Sequence, residues 1–131
     1  NAKRLLERGA KKAREIGVPM VMVVMDPGGN LIALHRMDGA LLASIDIAQN
    51  KAFTAISLKM PTSDLGEISQ PGKSLYGIQE TNQGRIVIFG GGFPLFHNQK
   101  LVGGIGVSGG SVAEDELVAS AMIEEFQKEM V

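Results

Sequence analysis

Residues 20 to 25 read Met-Val-Met-Val-Val-Met, an unbroken apolar run rich in β-branched side chains. A strand with one face in water alternates polar and apolar residues, so a run with no polar positions reads as a central strand covered on both faces. That single element demands helices on both sides of a sheet.

The flanking segments supply them. Leu5, Leu6, Gly9, Ala10, Ala13 and Ile16 recur at helical spacing, and Gly17 and Pro19 stop the pattern, predicting a first helix over about 3 to 16. Asp26-Pro-Gly-Gly-Asn30 is a dense turn signal, and Leu31 to Arg36 reads as the return strand of a hairpin. Ser44 is the expected N-cap of a second helix, with Asp46 in its first turn and a small-residue stripe of Ala48, Ala52, Ala55 and Ile56. Pro61-Thr62 ends it, a short helix is expected from Asp64 to Ile68, and Ser69 to Asn82 reads as a long loop. Arg85 to Phe89 is predicted as a third strand. Gly90 to Gly92 forms a flexible break, Pro94 to His97 a fourth strand, and Asn98-Gln99 turns into a fifth from Leu101 to Ser108. Ser111 and Glu114 have capping-box spacing ahead of a last helix buried through Val118, Ala121, Met122 and Phe126. The expectation is one α/β (α+β) domain over residues 1 to 131, with a five-stranded antiparallel sheet between helices in three layers, α/β/α.

Composition narrows the function classes. With 44% hydrophobic residues, 21% charged residues and a net charge of -1, nothing marks a nucleic-acid footprint, and the apolar run from Val18 to Met25 is too short to cross a bilayer. Neither nucleic acid nor membrane is an expected partner. The chain has no Cys, which removes disulfides and thiolate metal sites. Residue 1 is Asn and not Met, so an upstream segment is left open and a cytoplasmic location is an expectation only. Residues 1 to 15 are basic and the last eighteen acidic, which fits either two solvated helix faces or mutual attraction within or between subunits.

The most unusual polar cluster is Arg36-Met37-Asp38-Gly39-Ala40 followed by Asp46, Lys51 and Thr54, where a strand hands over to a helix. Arg36, Asp38, Asp46 and Lys51 read equally well as a structural ion-pair network and as a ligand site. Gly104-Ile-Gly-Val-Ser-Gly109 has the form of a dinucleotide fingerprint, but no further strand follows its helix, so that reading is rejected. Alternation leaves Gly104 and Gly106 on a nearly bare strand face, which admits a close-packed helix or a flat ligand such as a tetrapyrrole. The two histidines, His35 and His97, lack metal-ligand spacing, so a metal caged by the chain alone is not expected. A macrocycle that brings its own nitrogens needs only an axial group, and His35, beside the Arg36 to Ala40 segment, reads either as an ordinary strand-surface histidine or as the candidate axial ligand to a haem iron.

Val24-Met-Asp-Pro-Gly-Gly-Asn-Leu31, Arg36-Met-Asp-Gly-Ala40, Ser44-Ile-Asp46, Lys51-Ala-Phe-Thr-Ala55, Gly84 to Gly92 and Val102 to Gly110 together resemble the GlcG-like, HbpS haem-binding family over nearly the whole chain. Leu75-Tyr-Gly-Ile78 and Asn82 to Gly92 look most like the carboxy-terminal domain of PduO and the small stand-alone proteins found beside diol and glycerol dehydratase genes. The resemblance implies a profilin-like fold, homo-oligomers, and a tetrapyrrole or small acidic ligand: haem, or less directly a corrinoid. His35, Arg36, Asp38, Asp46, Lys51, Thr54, Gly104 and Gly106 are then the cofactor-binding candidates, with no catalytic residue assigned. It also implies an accessory role in cobalamin-dependent diol or glycerol metabolism, with microcompartment association as an extension. Haem degradation, or a structural role beside a dehydratase, are the alternatives.

Overall fold

The computed structural model describes residues 1–130. Helix α1 (Ala2–Ile16) leads into the hairpin of β1 (Val21–Met25) and β2 (Leu31–Arg36). Helices α2 (Ala43–Leu58) and α3 (Thr62–Ile68) follow, then β3 (Gly92–His97), β4 (Lys100–Ser108) and α4 (Val112–Glu129). The sheet is antiparallel throughout, in the order β2-β1-β4-β3.

The apolar run predicts this placement. All five residues of β1 are buried, with Val21, Val23 and Met25 against Ala48, Ala52 and Ile56 of α2. Met20, Met22 and Val24 join Ile105 and Val107 under Leu5, Leu6, Ala10 and Ala13 of α1 and Val118 and Met122 of α4. Three layers result, α1 and α4 on one face and α2 on the other. Gly17 caps α1 in the left-handed region at φ 72°, and the expected capping box at Ser111 and Glu114 is present. The basic α1 lies beside the acidic α4, and an ion pair between the first amino group and Glu129 joins their ends. In the hairpin turn the Asp26 carboxylate accepts from Gly28 N (2.8 Å) and Asn30 N (3.0 Å), and the Asn30 N–H above all holds it below its ordinary value of 3.8.

The described residues form four strands, not five. Arg85 to Phe89 does not pair with the sheet; the Thr54 hydroxyl takes up its backbone, accepting from Val87 N at 3.0 Å and donating to Arg85 O at 3.2 Å. β-Propensity there is overridden by a side chain of α2. Ser44 is not the N-cap either. Leu42 occupies that position, and Ser44, buried within the first turn, accepts from Ser108 Oγ at 3.1 Å, which ties α2 to the end of β4.

Alternation along β4 holds from Gly103 to Ser108, but Val102 is bulged out, since Leu95 pairs with Gly103 and Phe96 with Leu101. Leu101 therefore packs with the α2 cluster and not with Ile105. The bare glycine face is covered by a helix: a Cβ at Gly104 would lie 2.5 Å from Ile56 Cγ1, and one at Gly106 would collide with Ala48 O. Gly106→Ala is expected to cost at least about 1–3 kcal/mol by overpacking. A fall in urea midpoint at constant slope is the result to look for, and an unchanged midpoint would refute the close seating of α2.

Candidate functional site

The register brings the start of β1, the ends of β2 and β4 and the start of β3 to one end of the sheet, since Val21 pairs with both Arg36 and Ser108 and Gly92 with Gly106. The N-termini of α2 and α4 converge on the same end. There, Lys51 is the largest fully buried side chain. Its Nζ donates to Val107 O at 2.8 Å and to Asp115 Oδ2 at 2.9 Å, while Asp115 Oδ1 accepts from Gly110 N at 2.9 Å. The Phe89 ring lies 5.2 Å from the ammonium, a cation–π distance. Gly91 passes so close that a Cβ would lie 2.6 Å from Nζ, and its φ of 120° also requires glycine. Burial pulls the Lys51 ammonium below its ordinary 10.5, opposed first by the Asp115 hydrogen bond and then by the charges of Asp115 and Glu116.

Lys51 and Thr54 lie three residues apart, on one flank of α2, and both hold the same segment. Thr54 grips the backbone at Arg85 and Val87, Lys51 faces Phe89 and Gly91, and Glu116 Oε2 accepts from Gly91 N at 2.8 Å. The segment continues into Gly92, whose N–H donates to the buried Thr62 hydroxyl at 3.0 Å. Of the two readings of Arg36, Asp38, Asp46 and Lys51, the ion-pair network is not formed among the described residues: Lys51 pairs with Asp115, and Asp46 accepts from Asn50 at 3.1 Å.

The remaining candidates separate by face. Met22 pairs with His35 and Val21 with Arg36, which puts His35 on the α1 side of β2 and Arg36 on the α2 side. Both are exposed, as is Asp38 in the turn that follows. Gly104 and Gly106 lie under α2 and present no face to a ligand, a correction forced by the contacts above. The open apolar surface lies instead on the flank of α2 toward β2, where Leu34, Ala40, Ile45 and Phe53 border the core and Leu31 is half exposed. Arg85 stacks on the Phe53 ring at 3.6 Å from its centroid. Arg36, at the far end of β2, and Arg85, stacked on Phe53 beside Gly29 of the hairpin turn, lie at the two ends of this apolar strip, the trough beside α2, each with donors suited to a carboxylate.

Asp115, Phe89, Arg85 and Phe53 were not singled out by the sequence. One signal was present: Lys51 falls at helical spacing between Ala48 and Ala55, inside the buried stripe, and a lysine there must have a counter-charge. Asp115→Ala leaves that ammonium buried without its partner and is expected to cost about 3–5 kcal/mol, whereas Lys51→Met with Asp115→Leu should come within about 1–2 kcal/mol of the parent. Because the folded-state pKa of Lys51 is lowered, the unfolded chain binds more protons between that value and 10.5. Stability contributed by this group therefore rises with pH through that window, and the double variant should lack the rise in parallel chemical denaturation curves. Thr54→Val should cost about 1–3 kcal/mol and raise hydrogen exchange at Val87 N before the rest of the fold opens.

The family model described as haem degrading protein HbpS-like matches residues 1–124. A 15.0 kDa protein of the dhaT-dhaS intergenic region of Citrobacter freundii is 48% identical over 127 residues, 97% of this chain and 89% of that one. The Salmonella typhimurium corrinoid adenosyltransferase PduO is 39% identical over 120 residues, 92% of this chain, which spans only 36% of the enzyme. Among solved structures, Klebsiella pneumoniae ORFY is 47% identical with a TM-score of 0.94, covering 96% of this chain and 87% of that one. The PduOC:heme complex is 38% identical with a TM-score of 0.92, covering 94% and 89%. On a family match that runs from residue 1 to residue 124, the chain belongs to the HbpS-like family.

Proposed function

We propose that this protein binds haem as a small accessory protein of cobalamin-dependent diol or glycerol metabolism, acting as a homo-oligomer. The observation that carries the reading is the likeness to the PduOC:heme complex, a neighbour of the same fold at 38% identity. The setting is supported by the likeness to a dhaT-dhaS region protein and to PduO. Among the described residues no group of three His, Cys, Asp or Glu could hold a metal ion, and no helix is long and apolar enough to cross a membrane. A macrocycle fits such a chain, because it supplies four nitrogen ligands and asks of the protein an apolar wall, cations for its propionates and an axial donor.

The trough beside α2 offers the first two: Leu31, Leu34, Ile45 and Phe53 as wall, Arg36 and Arg85 as cations. His35 remains the candidate axial donor. β2 is an edge strand, so His35 on one face and Arg36 on the other would both be within reach of a haem held at that edge. Asp38 and Asp46 rim that edge in the same proposal, while Lys51 and Thr54 act by holding the Arg85 to Gly91 segment. A second subunit over the exposed trough would exclude water from the ligand.

Titration with hemin should give a saturable Soret shift. Its absence would sink the reading. Arg36→Ala should weaken binding about tenfold if it pairs with a propionate, and His35→Ala should change the axial signature of the spectrum while leaving Arg36 effects intact. Cobalamin in the same assay tests the corrinoid alternative. Loss of the Soret band with reductant, together with released iron, would favour haem degradation over simple binding.

A further inference from the structure

On the face of the sheet away from α2, an open cavity of about 360 Å³ lies between α1 and α4, lined by Arg4, Glu7, Arg8, Lys11 and Glu125. Arg4, Arg8 and Lys11 are spaced four and three residues apart, so one face of α1 presents all three. Two carboxylates share the cavity with them, yet the ion pairs among the described residues are Lys51 with Asp115 and the first amino group with Glu129. None of the three cations is paired. The Arg8 guanidinium goes further: its Nη1 is closed off from solvent and has no hydrogen-bond partner. Like charges at these spacings on one helix face repel one another, and an oxyanion in the cavity would offset that repulsion.

The two carboxylates decide the rest of the chemistry. A bare polyanion would be repelled by Glu7 and Glu125, whereas a ligand with an ammonium group as well as an oxyanion satisfies both sets of charges. We propose that the α1–α4 cavity is a binding site for a small zwitterionic oxyanion, its phosphate or carboxylate head held by Arg4, Arg8 and Lys11 and its ammonium by Glu7 and Glu125. The site lies apart from the trough beside α2 and does not depend on haem.

The test is an NMR titration of the full chain with phosphoethanolamine, with methyl phosphate, which lacks the ammonium, and with β-alanine, which replaces phosphate by carboxylate. Phosphoethanolamine or β-alanine should shift the Arg8 side-chain resonance and the α1 amides in a saturable way, the tighter of the two identifying the head group. Arg8→Gln should weaken that binding about tenfold or more. Glu125→Gln should abolish the preference over methyl phosphate, and hemin binding should be unchanged in both variants. No saturable shift with any of the three probes would overturn the proposal. So would equal affinities for the parent and Arg8→Gln, or a methyl phosphate affinity equal to that of phosphoethanolamine in the parent.

Discussion

With its ammonium sealed from water, Lys51 connects every layer that defines the site end of the sheet. It rises from α2, donates to the backbone of β4, pairs with the first turn of α4 and lies under Phe89 and Gly91 of the connecting segment. A buried pair of this kind adds little net stability compared with an apolar replacement, because desolvation of both charges offsets their attraction. What it adds is geometry. The Nζ can meet Val107 O and Asp115 together only when α2 and α4 are both seated, so the pair selects one relative placement of the two helices.

That placement moves the functional surface. The glycine face of β4 looked available to a flat ligand, but α2 lies directly on it, and its backbone occupies the space a Cβ would need at Gly106. Close packing there pushes the accessible apolar surface outward to the flank of α2, where the edge strand β2 extends beyond the helix. Arg36 borders this flank from the end of β2, and Arg85 borders it from above Phe53. Arg85 does so only because Thr54 has taken its segment out of the sheet.

Much of the architecture is legible in the residues. The six-residue apolar run, the turn chemistry of Asp26 to Asn30, Gly17 and the Ser111 capping box each act locally, and each is found as read. The departures share a cause, since each is decided by a partner distant in sequence. Arg85 to Phe89 has strand-forming residues but is captured by a threonine thirty-one positions earlier. Ser44 has the chemistry of a cap and is drawn inward by Ser108. The candidate site departs for a local reason: Arg36 and His35 adjoin in sequence and part in space, because a strand sends neighbours to opposite faces.

The two edges of the sheet are not equivalent. On β3, Gly91 O accepts from Val107 N, which makes Phe93 and Ile105 a hydrogen-bonded pair and turns the nitrogen of Pro94, opposite Gly104, toward the open side. That nitrogen carries no hydrogen, so a strand arriving along β3 finds a gap in the ladder where it needs a donor. The β2 edge has no proline and carries exposed Leu31, Ile32, His35 and Arg36. The sheet is thus polar in the sense of growth, closed to extension at one margin and receptive at the other, and the receptive margin is the one that borders the trough.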